Sequence, residues 1–318
     1  MRKRVYLSDD QISGTSDTIF ITGSPRSGTT LVGKYVGSFD RVEYHFEPPL
    51  LYMITAMVTA GAIDRESATD ILRAYLYEDL LVESVHGRKV NLRAKDDSCV
   101  LNMISWEELN RRWRDISNRK DAIDEIANKR LQLAVKMPGI ADSIRFLKEG
   151  FADSRIIIVL RDGRPVVRSI LRKGWLNDES LFREYWPYKT GACGQVRVPY
   201  FVEDRELDRW YAMNGATRAC YMWRKDAEAA LDVMGDSASK PNTIAIRYED
   251  ILRDPLKEVT NLAATLKQAF TDQTYSLIRD TITPPSMSRD VDQESFFADV
   301  DRSELDKFLF VNQQLGYR

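Results

Sequence analysis

Residues 18–36, Thr-Ile-Phe-Ile-Thr-Gly-Ser-Pro-Arg-Ser-Gly-Thr-Thr-Leu-Val-Gly-Lys-Tyr-Val, restrict this chain more than any other stretch. Positions 19–21 are a short apolar run, the composition of a strand covered on both faces. Gly23 and Gly28 bracket a tight turn, and from Thr29 the apolar Leu31, Val32, Tyr35 and Val36 fall at helical spacing. Strand, glycine-bounded loop and helix aim several backbone N–H groups and the positive end of a helix dipole at one point. A phosphate-sized anion binds at such a point. The spacing is that of a Gly-x-x-x-x-Gly phosphate loop, but Thr29 stands where a Walker A loop has lysine. That lysine reaches the β- and γ-phosphates of a triphosphate, so its absence speaks against ordinary ATP or GTP hydrolysis. A turn that only joins a strand to a helix has no use for Pro25, Arg26, Ser27, Thr29 and Thr30, and an anion site is expected.

Four more strand candidates follow, at 41–46, 131–136, 155–160 and 243–248, the fourth in the chain (155–160) apolar almost throughout. Helical segments separate each pair, which implies right-handed crossovers. The expected fold class is α/β: a three-layer, P-loop NTPase-like fold, with a central parallel sheet of about five strands flanked by helices. No Gly/Ser/Pro linker divides the 318 residues, so a single domain over 1–318 is expected. Residues 1–17 read as a loose lead-in, with helical insertions near 55–130 and 174–235.

Composition narrows the function. A net charge of −2 leaves no electrostatic footprint for nucleic acid. Three scattered cysteines and two histidines suggest neither a disulfide framework nor a metal site. The basic first residues run into Ser8, Asp9 and Asp10 where a signal peptide needs an apolar stretch. The longest apolar run, 50–63, is too short to span a bilayer. A cytoplasmic protein without a membrane span is the expectation.

The fourth strand runs into Arg161-Asp-Gly-Arg-Pro-Val-Val-Arg-Ser169. Pro165 suits the first turn of a helix, so Arg161 sits at the carboxyl end of a strand and Ser169 on the helix after it. Ligands of open parallel sheets collect at that edge, and an arginine and a hydroxyl there can clamp a second phosphate.

Together the two stretches resemble the sulfotransferases that use 3′-phosphoadenosine 5′-phosphosulfate. Ser24-Pro-Arg-Ser-Gly-Thr-Thr is similar to their 5′-phosphosulfate loop, and residues 161–169 to their 3′-phosphate motif. The segment Ile246-Arg-Tyr-Glu-Asp and the closing Gln314-Leu-Gly-Tyr resemble the family too. Gly163 departs from it, standing where proline is usual, and Pro165 stands where aspartate is frequent. The resemblance implies the sulfuryl donor as cosubstrate, its bisphosphate as product, and no metal. Arg26 would stabilise the leaving phosphate, and Lys136, ending the third strand in Val-Lys-Met-Pro, would approach the transferring group. Ser286 and Arg289 would belong to a late loop closing over the nucleotide.

For the base that takes the acceptor's proton, His45 and Glu47 are the candidates, both at the end of the second strand. Phe46-Glu47-Pro48 resembles a segment of carbohydrate sulfotransferases whose glutamate lies near the acceptor hydroxyl. If the strand extends that far, His45 and Glu47 share a face. Trp175, Tyr185, Trp186, Tyr188, Tyr200, Trp210 and Tyr211 crowd one insertion and suit a sugar ring, a steroid-like ring or a peptide equally. A small-molecule or saccharide acceptor is expected. A kinase-like phosphotransferase and a non-catalytic nucleotide-binding module remain the alternatives.

Overall fold

A computed structural model describes residues 6–139, 143–183, 188–189, 197–236, 242–282 and 295–318. Its centre is a parallel sheet of β1 (Ile19–Thr22), β2 (Val42–Phe46), β3 (Gln132–Lys136), β4 (Arg155–Leu160) and β7 (Thr243–Arg247), in the order β2-β3-β1-β4-β7. Between β4 and β7 two short strands, β5 (Tyr188–Lys189) and β6 (Val198–Pro199), pair antiparallel away from it.

Alternation along the strands builds two cores. Phe20, Leu133, Val135, Ile156 and Ile158 face one layer of helices, while Ile19, Ile21, Ala134, Ile157 and Val159 face the other. The three inner strands are buried on both faces, hence their near-continuous apolar sequences.

The strand order reverses direction at β1, with β3 on one side and β4 on the other. A crevice opens beyond the carboxyl ends of strands at such a switch point. The register aligns Lys136 with both Ile21 and Phe46, so the ends of β1, β2 and β3 come level. The turns that follow β1, β2, β3 and β4 therefore gather at one rim.

The expected loose lead-in is partly wrong. Residues Asp9–Ser16 form a helix, α1, opened by a capping box in which Ser8 and Gln11 exchange hydrogen bonds. Its Gly14 lies flat against Tyr77, where a Cβ would come within 2.6 Å of the ring, and Arg73 donates to Thr15 Oγ1. Only one residue of α1 is fully buried, so the hydrophobic pattern carries little sign of it. The stretch near 55–130 is mostly helical, from α3 (Pro49–Thr59) to the helix Arg119–Lys129. The second insertion contains β5 and β6 before its long helix Gly215–Gly235.

Candidate active site

After β1 the chain turns through residues 23–28 into α2 (Thr29–Gly37). Gly23 holds φ +147° under the Val159 carbonyl, where a Cβ would come within 2.4 Å. Gly28 caps α2 at φ +96°, and no side chain accepts the first N–H groups of that helix. Those donors and the helix dipole stay available to an anion. Ser27 spends its hydroxyl inside the loop, donating to the Ser24 carbonyl at 2.6 Å. Pro25 packs beside Gly139, whose N–H donates to the Gly23 carbonyl at 2.9 Å.

Arg26 sits exposed at the tip with φ +71°, a conformation costly for a residue with a Cβ. Its Nε–H donates to Ser169 Oγ at 2.9 Å, and Arg161 Nη1 donates to the Arg26 carbonyl at 2.8 Å. The two motifs, far apart in sequence, thus meet in one cluster. Among the described residues neither guanidinium has an ion-pair partner, so both keep donors for an anion. Arg161 lies over the Tyr248 ring at 4.3 Å, and the same ring fills the space a Cβ on Gly28 would need. Trp175 lies 5.9 Å from the Arg26 guanidinium.

Glu47 follows β2 directly, with φ +46°. Its N–H donates to the Lys136 carbonyl, and its Oε1 accepts from Lys136 Nζ at 2.6 Å. Lys136 Nζ also donates to Thr30 Oγ1 at 3.0 Å and sits 3.7 Å over the Phe46 ring. The lysine side chain is 2% exposed, the glutamate's 37%. Burial pulls the Lys136 ammonium below the usual lysine range, and Glu47 and Asp97 pull the other way. A cation, a carboxylate and a threonine hydroxyl thus stand beside the first turn of α2.

His45 is not among them. The left-handed turn at Glu47 breaks the two-residue alternation, so Glu47 swings to the Phe46 side and His45 stays with Glu43 on the other face. Its imidazole is pushed below the usual histidine range by burial, opposed by Glu43 and Asp79. Its Nε2 is buried without a hydrogen-bond partner. Ser286 and Arg289 lie outside the described residues, as do Tyr185 and Trp186. Of the other aromatic candidates, Trp210 is fully buried in the core, and Tyr200 turns its hydroxyl to the Gly139 carbonyl.

Sequence reasoning missed Tyr248 as a partner of Arg161, and Trp175 as a neighbour of Arg26. It also missed Tyr52, whose hydroxyl donates to the Pro138 carbonyl behind Lys136. No motif signals such contacts, because each joins residues from distant elements. Among the described residues no group of three or more His, Cys, Asp or Glu is arranged for a metal ion. No described helix is long and apolar enough to cross a membrane.

A parallel sheet with a glycine-bounded loop and an uncapped helix start at its switch point defines the class: an α/β protein of the P-loop kind. The sulfotransferase family model matches residues 18–272. The chain belongs to the sulfotransferase family, enzymes that transfer sulfuryl groups. Among solved structures, sulfotransferase STF9 from Mycobacterium avium is 13% identical, covers 97% of this chain and 79% of its own, and superposes with a TM-score of 0.52. The sulfotransferase domain from the curacin biosynthetic pathway is 17% identical over 95% of this chain and 98% of its own, with a TM-score of 0.48. Mouse sulfotransferase SULT7A1, solved in complex with PAP, is 11% identical over 95% of this chain and 86% of its own, with a TM-score of 0.42. No curated protein matches the chain.

Proposed function

We propose that this sulfotransferase takes its sulfuryl group from 3′-phosphoadenosine 5′-phosphosulfate and passes it to a hydroxyl or amine of a small-molecule or carbohydrate acceptor. The observation that carries the reading is the meeting of Arg26, Ser169 and Arg161. One donor set belongs to the loop after β1 and the other to the turn after β4, as two phosphates on one nucleotide require. We read the described residues as one domain, because both hydrophobic clusters pack on faces of the same sheet.

The donor supplies, when bound, a sulfuryl group on a phosphate leaving oxygen. The N–H groups at the start of α2 and Arg26 hold the 5′ end, and Arg161 and Ser169 hold the 3′-phosphate. Lys136 faces charge that develops between leaving oxygen and sulfuryl group, in a setting dry enough to strengthen the interaction. Glu47, bound to Lys136 through Oε1, has Oε2 free to take the acceptor's proton. Its partial exposure fits a group that must meet an incoming acceptor.

Calorimetric titration with 3′-phosphoadenosine 5′-phosphate against ATP with magnesium tests the donor. Tighter binding of the bisphosphate is expected, and a preference for magnesium ATP would move the chain to the phosphotransferases. A radiolabelled sulfate-transfer screen over hydroxyl and amine acceptors tests the reaction, and bisphosphate binding without transfer to any acceptor would leave a binding module.

A further inference from the structure

The helix Gly163–Lys173, which carries Ser169, has no free donors at its start. The Asp162 N–H donates to Glu249 Oε1 at 3.1 Å, the Gly163 N–H to Asn312 Oδ1 at 2.9 Å, and the Arg164 N–H to Asp162 Oδ1 at 3.0 Å. Pro165 has none. Side chains therefore occupy the donors that an anion would otherwise use, in contrast to the start of α2. A phosphate held here must be held by Arg161 and Ser169 themselves, so the placement of that turn decides how well it is held.

What places the turn comes from the other end of the chain, beyond the stretch that the family model matches. Asn312, 2% exposed on the helix Arg302–Gln314, accepts from Gly163 and donates Nδ2–H to Asp162 Oδ1 at 3.2 Å. Phe308 of the same helix lies against Gly163, where a Cβ would come within 2.7 Å of its ring. Tyr317 donates its hydroxyl to Glu249 Oε2 at 2.9 Å, and Glu249 holds the Asp162 N–H with its other oxygen. Arg247 donates to the Leu315 carbonyl and stacks over the Tyr317 ring at 4.9 Å.

We infer that Asn312 and Tyr317 are positioning residues for the 3′-phosphate clamp: by fixing the Asp162–Gly163 turn they hold Arg161 where it distinguishes a 3′-phosphorylated nucleotide. The inference rests on the donor reading above. A buried amide bridging two groups of one turn leaves it a single conformation, and a guanidinium offset by an ångström loses much of its bidentate contact.

The test is calorimetry on wild type, Tyr317→Phe and Asn312→Ala, each with 3′-phosphoadenosine 5′-phosphate and with adenosine 5′-phosphate. Tyr317→Phe keeps the ring on Arg247 and removes only the hydroxyl, so it reports even if Asn312→Ala fails to fold. The expected result is a loss on the order of tenfold for the bisphosphate, the size of one hydrogen bond to a charged group, with the monophosphate within about twofold of wild type. A wild-type preference for the bisphosphate that the variants keep undiminished overturns the positioning role alone. Equal losses for both nucleotides overturn it too, since they mark general damage. A wild type that binds the two equally overturns the donor reading, and this inference with it.

Discussion

Arg26 and Ser169, 143 positions apart, are joined by a hydrogen bond of 2.9 Å from the guanidinium Nε–H to the hydroxyl. The contact brings the loop after β1 and the helix after β4 within reach of one small ligand, and Arg161 closes the cluster through the Arg26 carbonyl.

Removing the second clamp should cost affinity selectively. Arg161→Ala is expected to weaken 3′-phosphoadenosine 5′-phosphate by about 10- to 100-fold, as loss of charge-assisted hydrogen bonds does. Ser169→Ala should cost about tenfold. Adenosine 5′-phosphate should bind either variant nearly as well as wild type in the same titration. Equal weakening of both nucleotides would take the 3′-phosphate away from these residues.

Glu47→Gln preserves shape and removes the proposed base. Turnover should drop by about 10²- to 10⁴-fold in the sulfate-transfer assay, while bisphosphate affinity holds. Wild-type turnover in this variant would reject Glu47.

His45 should be dispensable for chemistry. His45→Gln is expected to keep turnover within about threefold, because the ring faces away from Lys136. Its buried imidazole resists protonation, so below the ordinary value of about 6.5 the unfolded chain binds a proton that the folded chain refuses. Stability is therefore lost as pH falls from there toward the lowered value. Melting curves across that window should show less of this loss in His45→Gln. A base role would appear instead as collapsed turnover at every pH.

Lys136 leaves a signature on the alkaline side. Between its lowered value and the ordinary lysine value near 10.4, the unfolded chain holds the proton and the folded chain does not. Stability contributed by this group therefore rises with pH through that window. The melting temperature of wild type should climb relative to Lys136→Met as pH is raised toward about 10. A flat or falling difference would mean that the ammonium is not held in a dry site.

Restoring the family's usual proline at 163 should harm this chain. Proline suits the first position of a helix in isolation. Here its ring would meet Phe308 and Trp223, and the N–H that donates to Asn312 would vanish. Gly163→Pro is expected to lower stability by about 2 kcal/mol or more in denaturant unfolding. An unchanged midpoint would show that the neighbouring helices yield.

The sheet was readable because each inner strand has an apolar centre of three or more residues and each crossover contains a periodic helix. The glycine loop was readable because phosphate binding demands a fixed spacing. The geometry around Glu47 was not, since a single left-handed residue at the strand end decides which face the carboxylate joins. Strand alternation alone put His45 beside it. The helix α1 escaped notice because it docks through a glycine and hydrogen bonds rather than an apolar stripe. Asn312 and Tyr317 were equally silent, for an amide and a phenol acquire meaning only from the backbone N–H and the carboxylate they meet 149 and 68 positions away.

Arg26 and Glu47 are both held at positive φ, where glycine or asparagine would rest more easily. Each such residue withholds roughly 1–3 kcal/mol from the folded state. Selection for heat resistance alone would therefore drift toward replacing these two side chains, at the expense of turnover if they carry the roles proposed above. Arg41, Arg130 and Lys267 share the left-handed conformation away from this cluster, so strain accompanies the proposed site without being confined to it.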